Sequence, residues 1–315
     1  MIIDFSNCEL SNRNLQYAGR AGEKRGILFN NEHWFLKFPK NTLGMKKTGT
    51  LSYVTSPLSE YIGSHIYQIL GYDVHETILG VCFDGKRYKV VCACKDFIKD
   101  SKYELLIPYT ALRNDTNEVI MNRNEDNIVS ASNLNEILFQ LENNTVLSKM
   151  PDAKERFWDV VIIDYLINNN DRNEDNWGVI KNIERNTYKF APIYDCGNCF
   201  YSKTDDDRIS LIMSDENRLN DSSINCITAY EDDEGNNIHF LDLLSSDNED
   251  LIKSIKKVLN NLMAKEKEIT NFVKNISNEY KDVKITSDLR KEYYLKTFEL
   301  RIKKLKDFIS NLNEL

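Results

Sequence analysis

Glycine and proline are scarce. The chain has 12 and 5 of them in 315 residues, about 5% together against a usual usage of about 12%. That excludes collagen-like, linker-like and low-complexity architectures. No run of 18 apolar residues occurs, so no membrane-spanning helix is expected. A basic excess is also missing: the formal charge is −8. A general nucleic-acid binder would carry the opposite sign, although a local basic groove stays open. The start, Met1-Ile2-Ile3-Asp4, has neither a basic stretch nor an apolar core, so no secretory signal is expected. Seven scattered cysteines, an odd number, read as reduced thiols in a cytoplasmic protein.

What is present is material for a core. There are 16 Tyr and 14 Phe, with 41% hydrophobic and 29% charged residues overall. A chain of this length forms about two domains or one bilobed one. It buries about 75% of its unfolded surface without disulfide or metal staples.

The glycines are uneven: nine of the twelve precede residue 86, and none lies between Gly85 and Gly178. The first hundred residues read as strands with tight turns. Ile27–Phe29 and His33–Phe38 flank Asn30-Asn31-Glu32, and Thr77–Phe83 and Tyr88–Cys94 flank an Asp84-Gly85 turn. Both read as hairpins. Between them Leu58, Ile62, Ile66 and Ile69 recur at helical spacing, with Gly71 as the stop. Residues 114–127 and 143–148 read as Asn-rich loops around a short helix, Leu134–Leu141. Glu155–Ile167 is apolar on nearly every side, the mark of a buried helix. Trp177–Lys181 and Thr187–Pro192 read as a third hairpin. Residues 201–237, with Asp205-Asp206-Asp207 and Glu231-Asp232-Asp233-Glu234, read as a solvated, mobile segment. The remainder is helical: Ile252, Ile255, Leu259 and Leu262, then Leu295, Phe298, Ile302, Leu305, Ile309 and Leu312 step by three and four. That last stripe is too short for a coiled-coil seam and reads as an amphipathic helix on the core.

Chemistry is concentrated in Asn170-Asp171-Arg172-Asn173-Glu174-Asp175-Asn176-Trp177 and, about twenty residues on, Pro192-Ile193-Tyr194-Asp195-Cys196-Gly197. Phosphoryl transfer needs an oxygen acceptor beside the substrate hydroxyl and hard oxygen ligands for Mg²⁺. An Asp with an Asn five residues later offers both from one loop. A second Asp, delivered by a hairpin, completes the set: Asp171, Asn176 and Asp195. The spacing alone is weak in a chain rich in Asp and Asn; the buried helix before it and the hairpin after it give it weight. In the N-terminal half, strand alternation places Trp34, Leu36 and Phe38 on one face and His33, Phe35 and Lys37 on the other. Lys37 then either is solvated or presents an ammonium to a cleft. Gly19, Gly22 and Gly26, with Lys24, lie in a loop before the Ile27 strand, where glycine amides can cradle phosphate or form an ordinary turn. Glu60, on the Leu58–Leu70 helix, can reach Lys37, yet it lies opposite the apolar stripe, where a solvated Glu is the plainer reading.

These blocks resemble the HipA-like serine/threonine kinases, most closely their short CtkA-like members. The resemblance rests on Phe35-Leu36-Lys37-Phe38-Pro39, Ser59-Glu60-Tyr61-Ile62 with Leu70-Gly71, Cys94-Lys95-Asp96-Phe97, Asn170-Asp171-Arg172 through Asn176-Trp177-Gly178, and Ala191 through Gly197. It spans about residues 17 to 200, and its last two blocks are the specific ones. It implies an α+β, bilobal protein-kinase-like fold. Residues 1–98 would form an N-terminal lobe of antiparallel sheet plus a helix. Residues 99–315 would form a mostly helical catalytic lobe, with ATP and Mg²⁺ held between them. Lys37 would hold the phosphates together with Gly19, Gly22 and Lys24, and Glu60 would orient Lys37. The backbone of Lys95, Asp96 and Phe97 would bind adenine. Asp171 would take the substrate hydroxyl proton, and Asn176 and Asp195 would bind magnesium. The resemblance further implies a protein substrate with a Ser/Thr acceptor and autophosphorylation. An antitoxin-like or host protein partner follows from the family too, as does a secreted effector without a signal peptide beside the cytoplasmic reading.

Three departures stand out. The larger HipA proteins carry an N-terminal segment with no counterpart here, so antitoxin contacts and DNA-linked assembly do not carry over with the motifs. Asn173 stands where many members have His. Residues 17–26 hold no Ser or Thr, so self-inactivation through a phosphate-loop serine is not expected; Thr48, Thr50, Ser52, Thr55 and Ser56 are nearby alternatives. Two other functions share the motif grammar: a small-molecule phosphotransferase, and a nucleotide-binding pseudokinase that acts by partner contact. Cys196-x-x-Cys199 with Cys92-x-Cys94 can be drawn as zinc or redox sites, but the partner spacing is missing and buried thiols are the plainer reading. His33 is expected to face the cleft; His65, His75 and His239 are expected to be structural or exposed.

Overall fold

The computed structural model describes residues 2–13, 24–40, 54–120 and 130–312, without the side chains of 115–120. Its first third holds a six-stranded sheet in the order β1-β5-β6-β4-β3-β2. These strands are β1 (Ile3–Asp4), β2 (Glu9–Leu10), β3 (Lys24–Phe29), β4 (Glu32–Lys37), β5 (Thr77–Phe83) and β6 (Tyr88–Lys95). All neighbours are antiparallel except β1 with β5. Phe29 pairs with Glu32, so the β3–β4 loop has two residues. Both Asn30 and Asn31 have positive φ, the type I′ geometry that asparagine tolerates and strand twist favours. One face of this sheet buries Ile27, Trp34, Leu36, Phe38, Val91 and Ala93 around Phe5, which leaves Lys37 on the opposite face.

That opposite face carries α1 (Ser56–Ile69), which enters with Pro57 in its first turn. At its end Gly71 adopts φ +86, and Tyr72 N–H bonds back to Tyr67. This left-handed stop suits glycine because it has no Cβ to clash.

Beyond residue 99 a three-stranded sheet of β7 (Glu104–Pro108), β8 (Gly178–Asn182) and β9 (Thr187–Phe190) sits beside α2 (Tyr109–Ile120), α3 (Leu134–Asn143) and α4 (Ala153–Ile167). The expected third hairpin therefore gains a strand, β7. The loop expected from residue 114 is helical as far as Ile120, because Tyr109 and Leu112 are buried at helical spacing; 121–127 lies outside the described residues. α4 buries Phe157, Trp158, Val161, Ile162, Ile163, Tyr165, Leu166 and Ile167.

The expected solvated, mobile segment 201–237 is ordered. It forms α5 (Asp206–Met213), α6 (Glu216–Ile224) and β10 (Ile227–Glu231), which pairs with β11 (Asn237–His239). Its acidic residues act as caps: Asp205 accepts from Arg208 N–H and Asp215 from Arg218 N–H. Ile209 and Ile212 bury between them. After α7 (Phe240–Leu244), α8 (Glu249–Lys274) packs on α4. The pair β12 (Glu279–Tyr280) and β13 (Val283–Lys284) leads into α9 (Asp288–Leu312), which packs on α4, α5, α6 and α8. The last apolar stripe is thus a core face. Among the described residues no helix is long and apolar enough to cross a membrane.

Candidate active site

Lys37, Glu60 and Asp195 meet. The Lys37 ammonium lies 2.7 Å from Glu60 Oε2 and 2.8 Å from Asp195 Oδ1. β4 supplies the lysine, α1 the glutamate, and the loop after β9 the aspartate, which sits at φ +59. Burial pushes the Lys37 pKa down, but Asp195 and Glu60 outweigh it and hold the pKa well above the usual lysine value. Burial likewise pushes Glu60 up, while Lys37 and His75 pull it below the ordinary carboxylate range. The solvated reading of Glu60 is therefore wrong. Its carboxylate is fully buried because the second face of α1 is covered by residues 193–199. Gly63 makes this close approach fit: a Cβ there would lie 2.7 Å from Cys199 Sγ and 2.8 Å from Cys196 Cβ.

Lys24 is not in a loop. It opens β3, directly across from Lys37, with its ammonium 5.8 Å from the centre of the Phe35 ring. Burial and Lys37 both lower its pKa. Two like charges opposite each other on one sheet face repel, and Asp195 and Glu60 partly offset that repulsion. Gly19 and Gly22 lie outside the described residues. At the end of β6, the Lys95 side chain turns to Glu32 and Glu76 at 2.7 and 3.2 Å. Asp96 N–H bonds His33 O, while Asp96 Oδ2 takes a hydrogen bond from Arg13, which also donates to the carbonyls of Ile98 and Lys99. Phe97 lies against Tyr194, with ring centres 5.6 Å apart. Among the described residues the Phe97 N–H has no partner. His33 is tied to Ser11 at 2.8 Å.

In the loop after α4, Asn176 Nδ2 donates to Asp171 O at 2.6 Å, and Asn173 Nδ2 to Asp171 Oδ1 at 3.2 Å. The Asp171 side chain is exposed. Sequence reasoning gave no role to the residue that organises this loop, Arg172. Buried, it binds Asp164 through Nε at 2.9 Å and donates to the carbonyls of Asn176 and Tyr194. One guanidinium thus joins the 171–176 loop to the residue before Asp195. Asp164 also accepts from Tyr67 and Asn169. The available signal was the second of two acids, Asp159 and Asp164, inside a mostly apolar helix, eight residues before an arginine. His75 was also missed as a contact: its Nε2 lies 2.8 Å from Glu60 Oε1.

Glu60, His75 and Cys94 bring ligand-type atoms within 4.8 Å of one another. Donors sharing a zinc at bond lengths of about 2.0–2.1 Å would sit about 3.3 Å apart. The 2.8 Å separation is instead that of a hydrogen bond. All seven cysteines are free, and burial pushes the Cys92 and Cys199 thiols up, which disfavours thiolate chemistry.

The segment after Asp195 is held from α9. Arg290 donates to Thr204 O at 2.8 Å and pairs with Asp206. Arg301, fully buried, donates to Leu166 O at 3.1 Å, to Ser223 O at 2.7 Å and to the Tyr201 hydroxyl. Leu166 and Ser223 lie in the last turns of α4 and α6, so two helix C-termini stabilise the buried cation.

No family model matches the chain. The serine/threonine-protein kinase CtkA of Helicobacter pylori is 32% identical over 258 residues, covering 81% of this chain and 74% of that protein. The chain belongs to the CtkA family of serine/threonine-protein kinases. The crystal structure of the H. pylori proinflammatory kinase CtkA agrees throughout: TM-score 0.83 at 27% identity, covering 100% of this chain and 98% of that one. HipA, from the Shewanella oneidensis HipA–HipB–operator DNA complex, matches at TM-score 0.52 and 14% identity, over 95% of this chain and 67% of that one. That likeness is one of fold. The chain is thus a serine/threonine protein kinase with an α+β kinase fold, and its substrate is protein.

Proposed function

We propose that this kinase transfers the γ-phosphoryl group of Mg²⁺-bound ATP to a serine or threonine hydroxyl in the cleft between residues 1–98 and 99–315. The observation that carries this reading is the Lys37 ammonium seated between Glu60 and Asp195. Lys37 and Lys24 hold the phosphates, together with Gly19 and Gly22, which lie outside the described residues. Glu60 orients Lys37. The strand end Lys95–Phe97 receives adenine, with the unpaired Phe97 N–H as its donor and Arg13 steadying the backbone. Asp171 accepts the proton of the attacking hydroxyl as the new O–P bond forms and the bond to the β,γ-bridging oxygen breaks.

The donors left over fit magnesium. Asn176 uses its amide nitrogen on Asp171 and keeps Oδ1, while Asp195 uses Oδ1 on Lys37 and keeps Oδ2. Both are hard oxygens. The ion supplies charge neutralisation at the phosphates. Thr55 and Ser56, beside the pinned Ser202 carbonyl, are acceptors for autophosphorylation, together with Thr48, Thr50 and Ser52 outside the described residues. We place the protein in the cytoplasm, with export as an effector as the second location. Its partner is a protein substrate of antitoxin-like or host kind. Labelled ATP with purified protein and cell lysate tests the reading: phosphate should appear on protein, and Asp171→Ala should abolish it. Transfer by that variant at the parental rate would remove Asp171 from its role.

A further inference from the structure

We propose that His75 is a positioning residue of the kinase reaction, which locks Glu60, and through it the Lys37 ammonium, to the strand that delivers Asp195. This rests on the roles given to Glu60 and Lys37 above. Glu60 has two oxygens with one partner each: Oε2 holds Lys37 and Oε1 holds His75. A carboxylate gripped by one oxygen alone can turn about its last torsion, which is broad. A second grip removes that freedom.

The His75 main chain is tied to the other end of the same ion-pair chain. Its N–H bonds Ile193 O at 3.0 Å, Ile193 N–H bonds Asp73 O at 2.8 Å, and Val74 bridges Ile193 in parallel. Ile193 stands two residues before Asp195. One residue therefore meets Glu60 with its side chain and the Asp195 strand with its backbone, so that the two carboxylates flanking Lys37 keep one spacing.

Packing does not explain this ring. His75 is 3% exposed, and its Nδ1 has no partner. A buried polar atom without a partner costs stability, and an aliphatic side chain would fill the space without that cost. Rules of local consistency are broken at functional sites, and here the working nitrogen points at Glu60.

The test is a double-mutant cycle on the full chain. The readouts are ADP formation from Mg·ATP with casein present and the rise in melting temperature on adding a nonhydrolysable Mg·ATP analogue. His75→Leu should lower kcat/KM for ATP about 10- to 100-fold, the range expected for loss of a hydrogen bond to a charged group, and should shrink the thermal shift. His75→Gln, whose amide nitrogen reaches the Nε2 position, should recover activity to within about threefold of the parent. Placed in a Glu60→Gln background, His75→Leu should cost less than about twofold more, because coupled residues are not additive. Equal losses in both backgrounds, or full activity of His75→Leu, would overturn the proposal. Undiminished activity of Glu60→Gln alone would instead remove Glu60 from the site, and this proposal with it. If His75→Leu does not fold, His75→Asn replaces it, since its amide is too short to reach Oε1.

Discussion

In the proposed site, the wall around Lys37 holds its side chains to one another, whereas in the wall formed by the 171–176 loop the side chains of Arg172 and Asn176 hold the backbone. Lys37 binds carboxylates 23 and 158 positions away, and Glu60 spends both oxygens inside the protein. Asp171 and Asn176 are five residues apart on one loop, pinned by the guanidinium of Arg172 between them, and Asp171 stays exposed. The contrast separates two kinds of damage. Removing a group from the first wall leaves a buried charge without its partner. Removing one from the second leaves the fold alone and takes away only chemistry.

Asp171→Asn should show the second kind at full size. Phosphate transfer should fall by about 10²- to 10⁴-fold, the worth of general-base assistance, with the melting temperature within a degree or so of the parent's. Lys37→Met should show the first kind. Activity should be lost along with about 3–5 kcal/mol of stability, because Glu60 is stranded in the interior; a melting scan beside the activity assay distinguishes the two variants. Equal melting temperatures for both would break the comparison. Arg172→Lys lies between the walls. Lysine cannot reproduce the fork that serves Asp164, Asn176 and Tyr194 together. About 1–3 kcal/mol should be lost, together with a weaker apparent affinity for Mg²⁺ in a metal titration.

The smallest effect lies far from the cleft, where Asp4 meets Lys281 at 2.6 Å. Burial raises the Asp4 pKa, but Lys281 and Ser6 bring it down to about 2. A depressed carboxylate stabilises the fold above its unfolded pKa and loses that contribution as pH falls through its folded one. Asp4→Asn should therefore be slightly less stable than the parent at pH 6, and the gap should close between about pH 4 and 2. A constant gap in denaturation midpoints across that range would contradict the assignment.

Much of this was legible in the chain because local chemistry carried it. Asn30-Asn31 and Asp84-Gly85 mark tight hairpins, the alternation from Trp34 to Phe38 points Lys37 away from the small core, and α4 is apolar on nearly every side. The illegible parts depended on distant partners. Glu60 looks solvated on its own helix, because the segment that buries it arrives more than 130 residues later. Asp205 and Asp215 read as an acidic run, yet each satisfies the first amides of a helix. Helix α2 hides its buried Tyr109 and Leu112 among residues of low helix propensity. Arg172 was visible as a letter between two motif positions, but its role needs Asp164 and Tyr194, which only the folded chain assembles.

The two arginines of α9 carry a consequence for timing. Residues 201–206, which continue from Asp195, take two of their anchors from positions 290 and 301, 86 and 100 residues further along the chain. A nascent chain already long enough to contain Lys37, Asp171 and Asp195 holds the Ser202 carbonyl through Thr55 but still lacks both guanidinium anchors of that stretch. Without α9 the stretch that follows Asp195 keeps fewer holds, so a chain cut before Asp288 should transfer less phosphate than one that includes the helix, as labelled ATP would show.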